Sequence, residues 1–405
     1  MRICIPVLMG LEAVVGRELE RLDIAKEDIT KQDGTVFVEV PGDRDELSAT
    51  IAKLNVHLAS AERVLLEVGR GDVRNFDDLF DLTQLIPWER FIPEDYPFTI
   101  QGYTINSKLT SVPACQRTIK KAQVQRLLEA RGLSAEDQLP EKRDLPTIRI
   151  QFALAYDEIS FRVDTSGSSL HKRGYRLQAT EAPLKETLAA GMLELTRWKP
   201  FADEAVWDPF CGSGTFIIEA AMHAAGLAPG CRRRFAGEYW PYLDPEAFDR
   251  ARHEAVEQAD LEAPDQPFLI GTDIDPEAIE IAKLNAKRAG VDAFCHFELR
   301  DIGEMELRTI REMTGLDRVM ILTNPPYGER IATEEEVHIL NRMLGSKALV
   351  GGHLRDGVRL FLITANDYFE KEVGVRADRR RKLYNGMIKC TFFQYFRRPR
   401  RQQTR

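Results

Sequence analysis

Apolar positions along the first 160 residues alternate between a helical and an extended period. Leu11, Val14, Val15, Leu19 and Leu22 fall on one helical face, and Thr35–Val40 reads as a strand closed by Pro41-Gly42. The same reading predicts a helix over 44–55, strands near Val64–Val68 and Phe98–Ile105, a helix over 115–131, and a strand at Thr147–Ala155 that turns at Tyr156-Asp157-Glu158 into a second strand, Ile159–Val163. From Glu181 the pattern becomes a regular strand–helix alternation. Helix 183–197 leads to strand Ala205–Trp207 and helix 215–225, and an irregular, helix-containing segment fills 226–262. Strand Phe268–Gly271, helix 276–289 and strands Phe294–Leu299, Val319–Leu322 and Leu360–Ile363 follow, with helices between them. The chain closes on Lys382–Tyr384, an Asn385-Gly386 turn and strand Met387–Phe396, a strong hairpin signal.

Repeated strand–helix units predict an α/β, doubly wound parallel sheet with an antiparallel hairpin at its end. The mixed first part predicts an α+β binding module. The polar, basic stretch 164–180 between them is expected to be a linker, giving regions 1–163, 164–180 and 181–405.

Composition narrows this picture. With 405 residues, 43% of them apolar and 30% charged, the chain has length for two or three domains and is too apolar for a disordered protein. No apolar run approaches the ~20 residues of a membrane span, and Met1–Gly10 is not expected to be a signal peptide. Cys4, Cys115, Cys211, Cys231, Cys295 and Cys390 are scattered without a C-x-x-C pair, so no metal site and no disulfide framework is expected; a reduced, cytoplasmic protein is. The net charge of −8 is uneven: residues 376–405 hold eleven Lys/Arg and one acid, so an end of net +10 follows a remainder of −18. Such asymmetry points to a nucleic acid, with Arg379–Lys382 and Arg397–Arg401 as expected phosphate contacts. In the linker, His171, Lys172, Arg173 and Arg176 are further candidates.

Four constellations carry chemistry. Asp208–Thr215 (D-P-F-C-G-S-G-T) stands between a strand and a helix, where Gly212 and Gly214 permit close backbone approach to a ligand. It lacks the Gly-Lys-Ser/Thr of a phosphate loop and the third glycine of a dinucleotide fingerprint. Asp273, at the end of the second strand in G-T-D-I-D-P-E-A, can accept from both hydroxyls of a ribose, with Ile274 lining an adenine face and Asp275-Pro276 opening the next helix. Asp301 follows the third strand, where an acid can accept from an adenine amine. Asn324-Pro325-Pro326-Tyr327 follows the fourth: two prolines remove N–H donors and leave acceptors, so the loop can grip an exocyclic amine while Tyr327 stacks on its base.

In this order the four motifs resemble class I S-adenosylmethionine-dependent amino methyltransferases. The wider match, with Leu170–Arg176, Ala182–Ala190, Asp208–Ala221, the Leu383-Tyr384-Asn385-Gly386 hairpin, Gly10–Leu19 and Cys115–Ala122, resembles the bacterial THUMP-domain methyltransferases of 23S rRNA that make N2-methylguanine. The resemblance implies a Rossmann-like seven-stranded methyltransferase domain preceded by a ferredoxin-like and THUMP RNA-binding region. It implies that Asp208, Gly212 and Gly214 hold the methionine part of S-adenosylmethionine, that Asp273 binds its ribose and Asp301 its adenine, and that Asn324, Pro325, Pro326 and Tyr327 orient the target amine. Structured RNA is the implied partner, with Arg117, Lys120 and Lys121 as contacts. Two alternatives stay open: N6-adenine methylation of RNA or DNA, since the same loop serves either amine, and an inert RNA-binding or ribosome-assembly factor. Carbon methylation through Cys211 or Cys390 is not expected, because Tyr327 stands where 5-methyluridine enzymes have an arginine.

Overall fold

A computed structural model describes residues 1–134, 136–176, 184–262, 264–326, 334–349 and 357–396. The chain forms two compact units that are not contiguous in sequence. One comprises Met1–Val7, Gly16–Leu170 and Arg233–Glu254; the other comprises Leu8–Val15, His171–Arg232 and Ala255–Arg405.

The first unit is built on a seven-stranded sheet. In chain order its elements are β1 (Arg2–Pro6), α1 (Glu12–Arg21, whose first turn belongs to the second unit), β2 (Ile29–Gln32), β3 (Thr35–Glu39), α2 (Arg44–His57), β4 (Leu65–Asp72), α3 (Phe76–Leu85), β5 (Phe98–Ile105), α4 (Val112–Ala130), β6 (Ile148–Ala155) and β7 (Glu158–Asp164). The strand order is β2-β3-β1-β4-β7-β6-β5, antiparallel except for the β5–β6 pair. Sequence periodicity located most of these elements but not β1, whose Ile3, Cys4 and Ile5 are all buried and therefore show no alternation.

Arg233–Glu254 joins this unit through specific contacts. The Trp240 indole donates to the Phe91 carbonyl at 2.6 Å, the Gly237 N–H to that of Thr165 at 2.8 Å, and the Arg44 guanidinium to those of Pro241 and Tyr242. The expected RNA contact Lys120 is engaged internally, its Nζ donating to the Phe98 carbonyl at 3.1 Å and pairing with Glu141 at 3.7 Å; burial pulls its pKa down. Arg117 and Lys121 are exposed.

The second unit carries the other seven-stranded sheet. Its elements continue as α5 (Glu186–Thr196), β8 (Glu204–Asp208), α6 (Thr215–Ala224), α7 (Pro245–Glu257, mostly in the first unit), β9 (Leu269–Asp273), α8 (Pro276–Ala289), β10 (Cys295–Leu299), α9 (Leu307–Thr314), β11 (Arg318–Thr323), α10 (Glu334–Ala348), β12 (Val358–Thr364), α11 (Phe369–Val373), β13 (Arg379–Asn385) and β14 (Ile388–Tyr395). The strand order is β10-β9-β8-β11-β12-β14-β13, parallel from β10 to β12 and antiparallel beyond. The predicted doubly wound sheet and closing hairpin are both present. Trp207, Ile270, Ile310, Leu344 and Phe369 lie in its core, each burial contributing about 1.5–3 kcal/mol.

Winding runs from β8 outward through β9 to β10, then restarts at β11 on the other side of β8. A crevice therefore opens outside the carboxyl end of β8. The hairpin is one residue out of the expected register: Asn385 pairs with Ile388, so the loop is Gly386-Met387. Only Gly386 of these two has positive φ (+62°), the arrangement of a turn that needs glycine first.

Candidate active site

The described residues of the four predicted motifs stand at the strand ends that border that crevice. Asp208 ends β8 and is buried, its Oδ1 accepting from the Thr323 hydroxyl at 2.6 Å and the Phe210 N–H at 3.1 Å. Oδ2 takes no hydrogen bond from the described residues. Burial pushes the Asp208 carboxyl up to about 7; the bonds from Thr323 and Phe210 oppose the rise, and the nearby Asp273 carboxylate adds to it.

Asp273 ends β9 and holds the glycine loop directly. Its Oδ2 accepts from the Gly212 N–H at 2.8 Å and its Oδ1 from the Asp275 N–H at 3.0 Å. One bond on each oxygen leaves acceptor capacity on both. Burial raises this carboxyl as well. Asp275 caps α8, accepting from the Glu277 N–H, with Pro276 in the first turn. Ile274, beside the carboxylate, is 69% exposed.

Gly214 sits at φ +83°, where a Cβ would lie 2.9 Å from the Phe297 ring, so the loop packs as tightly as glycine allows. Asn285 of α8 ties it down, its Nδ2 donating to the Ser213 carbonyl at 3.1 Å. Cys211 is buried and its thiol pushed far up, chiefly by that burial, which keeps it from serving as a thiolate nucleophile. Asp301 follows β10 and folds back to accept from the Gly303 N–H at 2.6 Å.

Asn324 follows β11. Its Oδ1 is buried and has no hydrogen-bond partner among the described residues. Pro325 is buried and Pro326 half-buried beside it. Tyr327 lies outside the described residues.

Sequence reading missed what holds these groups. Arg176 lies 88% buried between the starts of α5 and α6. Its Nη2 donates to the Thr215 hydroxyl and to the Leu184 carbonyl at 3.0 Å, and its Nε lies 3.4 Å from Glu186. Arg173 pairs with Glu219 of α6 at 3.3 Å, and the Tyr175 hydroxyl donates to the same carboxylate at 3.1 Å. Arg173 and Arg176 are therefore internal ion-pair partners rather than the expected phosphate contacts: both are buried against carboxylates. Asn285 did leave a signal, as a polar residue on the buried Ala278–Ala282–Ala289 stripe of α8. Thr323 left none.

Residues 173–394 match the family model described as RMKL-like, methyltransferase domain. The chain belongs to this methyltransferase family. Two further models match the N-terminal part of the chain: RlmL ferredoxin-like domain at residues 2–65 and THUMP domain at 73–143. "Putative RNA methyltransferase YpsC" of Bacillus subtilis is 37% identical over 399 residues, 98% of this chain and 96% of its own. "Ribosomal RNA large subunit methyltransferase K/L" of Allochromatium vinosum is 35% identical over 84% of this chain, but the chain spans only 45% of that protein. Two solved structures align at TM-score 0.84. A "predicted N6-adenine-specific DNA methylase" from Listeria monocytogenes is 36% identical, with 97% of this chain and 95% of that one covered. SMU.472, "a putative methyltransferase complexed with SAH", is 34% identical, with 98% and 97% covered. Among the described residues no group of His, Cys, Asp and Glu is placed to hold a metal, and no helix is long and apolar enough to cross a membrane.

Proposed function

We propose that this chain is an S-adenosylmethionine-dependent RNA methyltransferase that modifies the exocyclic N2 of a guanine in 23S rRNA. The observation that carries the reading is the orphaned Asn324 Oδ1, a buried acceptor at the strand end beside Asp208. Leaving such an acceptor unpaired costs about 1–3 kcal/mol, a cost that makes sense where a substrate donor completes the bond. An inert relic of the fold would gain stability by losing it.

The residues present fit the cofactor. The glycine loop is a cradle that side chains would fill, Asp273 keeps an acceptor site on each oxygen, and Ile274 leaves an apolar surface open next to it. Asp208, Gly212 and Gly214 would hold the methionine part, Asp273 the ribose, and Ile274 and Asp301 the adenine. S-adenosylmethionine, when bound, supplies an electrophilic methyl group. Asn324 accepts a hydrogen of the target amine, and the carbonyls freed by Pro325 and Pro326 offer further acceptors. This grip favours a tetrahedral nitrogen whose lone pair can attack, so positioning supplies most of the rate and no strong general base is required. The base is flipped from its stack to reach the loop. The 164–180 stretch would then link the THUMP-matched region to the unit that carries the chemistry.

The THUMP match and the names of YpsC and the K/L relatives favour RNA over DNA; the Listeria neighbour's name keeps adenine N6 in view. Incubation with unmodified 23S rRNA and labelled cofactor, followed by digestion to nucleosides, separates the readings. N2-methylguanosine is expected; N6-methyladenosine as the product would overturn the guanine assignment.

Asp208 gives the site a pH dependence. With its carboxyl near 7, about half is neutral at neutral pH, and only the ionised form pairs with the cofactor's ammonium. Affinity is therefore expected to rise about tenfold between pH 6 and pH 8. Stability has the opposite sign: the folded-state pKa lies above the unfolded one, so its contribution is full below about pH 4 and lost as pH rises through about 7. Calorimetric titration with S-adenosylhomocysteine across this range checks the affinity slope, and Asp208→Asn should flatten it.

A further inference from the structure

The β13–β14 hairpin reaches past the active-site edge of its sheet. Thr323 pairs with Leu362, and Leu362 with Phe393, so Asn324 stands level with Phe392. β14 runs antiparallel, so the residues before Phe392 extend beyond the carboxyl ends of the parallel strands. Met387 is five residues earlier, about 16 Å farther out at ~3.3 Å per residue, and two strand spacings, ~10 Å, to the side of β11.

The two faces of this projection differ in chemistry. Leu383, Asn385 and Cys390 are buried on one face. Cross-strand pairing of Tyr384 with Lys389 and of Lys382 with Thr391 puts Lys382, Tyr384 and Lys389 together on the other. Both lysines are exposed, and neither is paired with a carboxylate among the described residues. Lys382 Nζ lies 5.2 Å from the Tyr384 ring centre, and no acid occurs anywhere from Arg379 to Phe396. At the apex Met387 is 97% exposed and Ile388 45%. A loop with glycine first accepts a polar second residue equally well, so nothing in the hairpin's own folding calls for an apolar side chain there.

We propose that this tip is an RNA wedge. Met387 enters the stack beside the flipped base, while Lys382 and Lys389 hold adjacent phosphates and Tyr384 offers a ring for stacking. Apolar side chains inserted between bases, with cations on the flanking backbone, are a general way of meeting the cost of unstacking. The proposal rests on the reading that the substrate is RNA with a base flipped to Asn324.

The test uses the full-length protein and an in vitro transcript of 23S rRNA. Met387→Ala should lower kcat about tenfold with RNA affinity and cofactor affinity changed less than twofold, and Met387→Leu should restore the rate. The pair Lys382→Gln and Lys389→Gln should weaken RNA binding and reduce the slope of log affinity against log salt by about 1.5 to 2. If wild-type protein methylates the transcript while both variants match it, the wedge is overturned and the functional reading stands. A deficit confined to ribosomal particles and absent on naked transcript would give the tip a protein partner and also overturn it. If wild-type protein transfers no methyl group, the functional reading fails, and the salt slope alone still decides the hairpin: an unchanged slope refutes it.

Discussion

Replacing Asn324 by alanine should slow methyl transfer by about 10²–10³-fold while leaving cofactor affinity within twofold of wild type. The estimate follows from the cost of removing one preorganised hydrogen-bonding group from an active site, about 2.7–4 kcal/mol. The variant should fold at least as well as the parent, because Asn324 Oδ1 is buried without a partner among the described residues and its removal ends an uncompensated desolvation. Single-turnover transfer to 23S rRNA, calorimetry with S-adenosylhomocysteine and a thermal melt together check this. Unchanged transfer would sink the mechanism, and a lowered Tm with proportionate loss of cofactor binding would assign Asn324 a structural role instead. Loss of rate with a gain in stability is the signature of a residue kept for chemistry.

The second large effect is on folding. Glu219→Ala should destabilise the second unit by about 3–5 kcal/mol, because it removes the carboxylate that pairs directly with the buried Arg173 guanidinium. Burial disfavours the charge on Arg173, and Glu219 is the main group that restores it, with Tyr175 and Glu186 adding to the effect; Tyr175 loses its acceptor in the same step. Replacing both partners by apolar residues, Arg173→Met with Glu219→Leu, should recover most of the loss, since a well-packed apolar pair carries no desolvated charge. Urea unfolding followed by tryptophan fluorescence measures both, and equal losses in the single and double variants would refute the argument. The damage should reach the cofactor as well: Glu219 stands on α6, one turn past Thr215, the residue that Arg176 holds at the exit of the glycine loop.

The edge on which the candidate residues gather is legible in the sequence. A parallel strand–helix repeat forces successive strand ends onto one edge, so residues that follow strands, such as Asp208, Asp273, Asp301 and Asn324, must share a neighbourhood. Local chemistry also placed the Asp275-Pro276 start of α8, because the side chain that caps a helix and the ring that opens it act within a few residues. The hairpin turn was found but slipped by one residue, since Asn-Gly signals a turn while cross-strand pairing fixes which residue forms the loop.

The groups that hold the site were not legible. The Thr323 hydroxyl reaches Asp208 across 115 positions, and Arg173 reaches Glu219 across 46. A basic residue in a polar connector looks the same in sequence whether it ends in solvent or against a buried carboxylate. The charge asymmetry was similarly ambiguous: Arg380 of the basic end pairs with Glu370, and Arg381 donates to the Gly10 carbonyl, while Lys382 and Lys389 stay exposed. Arg397–Arg401 lie outside the described residues. Nor could periodicity reveal that Arg233–Glu254, in the middle of the methyltransferase sequence, packs into the first unit.

The sequence by itself determined the order of elements, the edge on which chemistry gathers and the residue types present there, because these follow from local hydrophobic period, turn preferences and the handedness of strand–helix–strand connections. Only the tertiary structure decided which charges are neutralised inside, which buried acceptors are left unpaired and which side chains reach beyond the sheet. Those outcomes depend on desolvation and on partners brought together by the whole fold, and neither is encoded within a short window of chain.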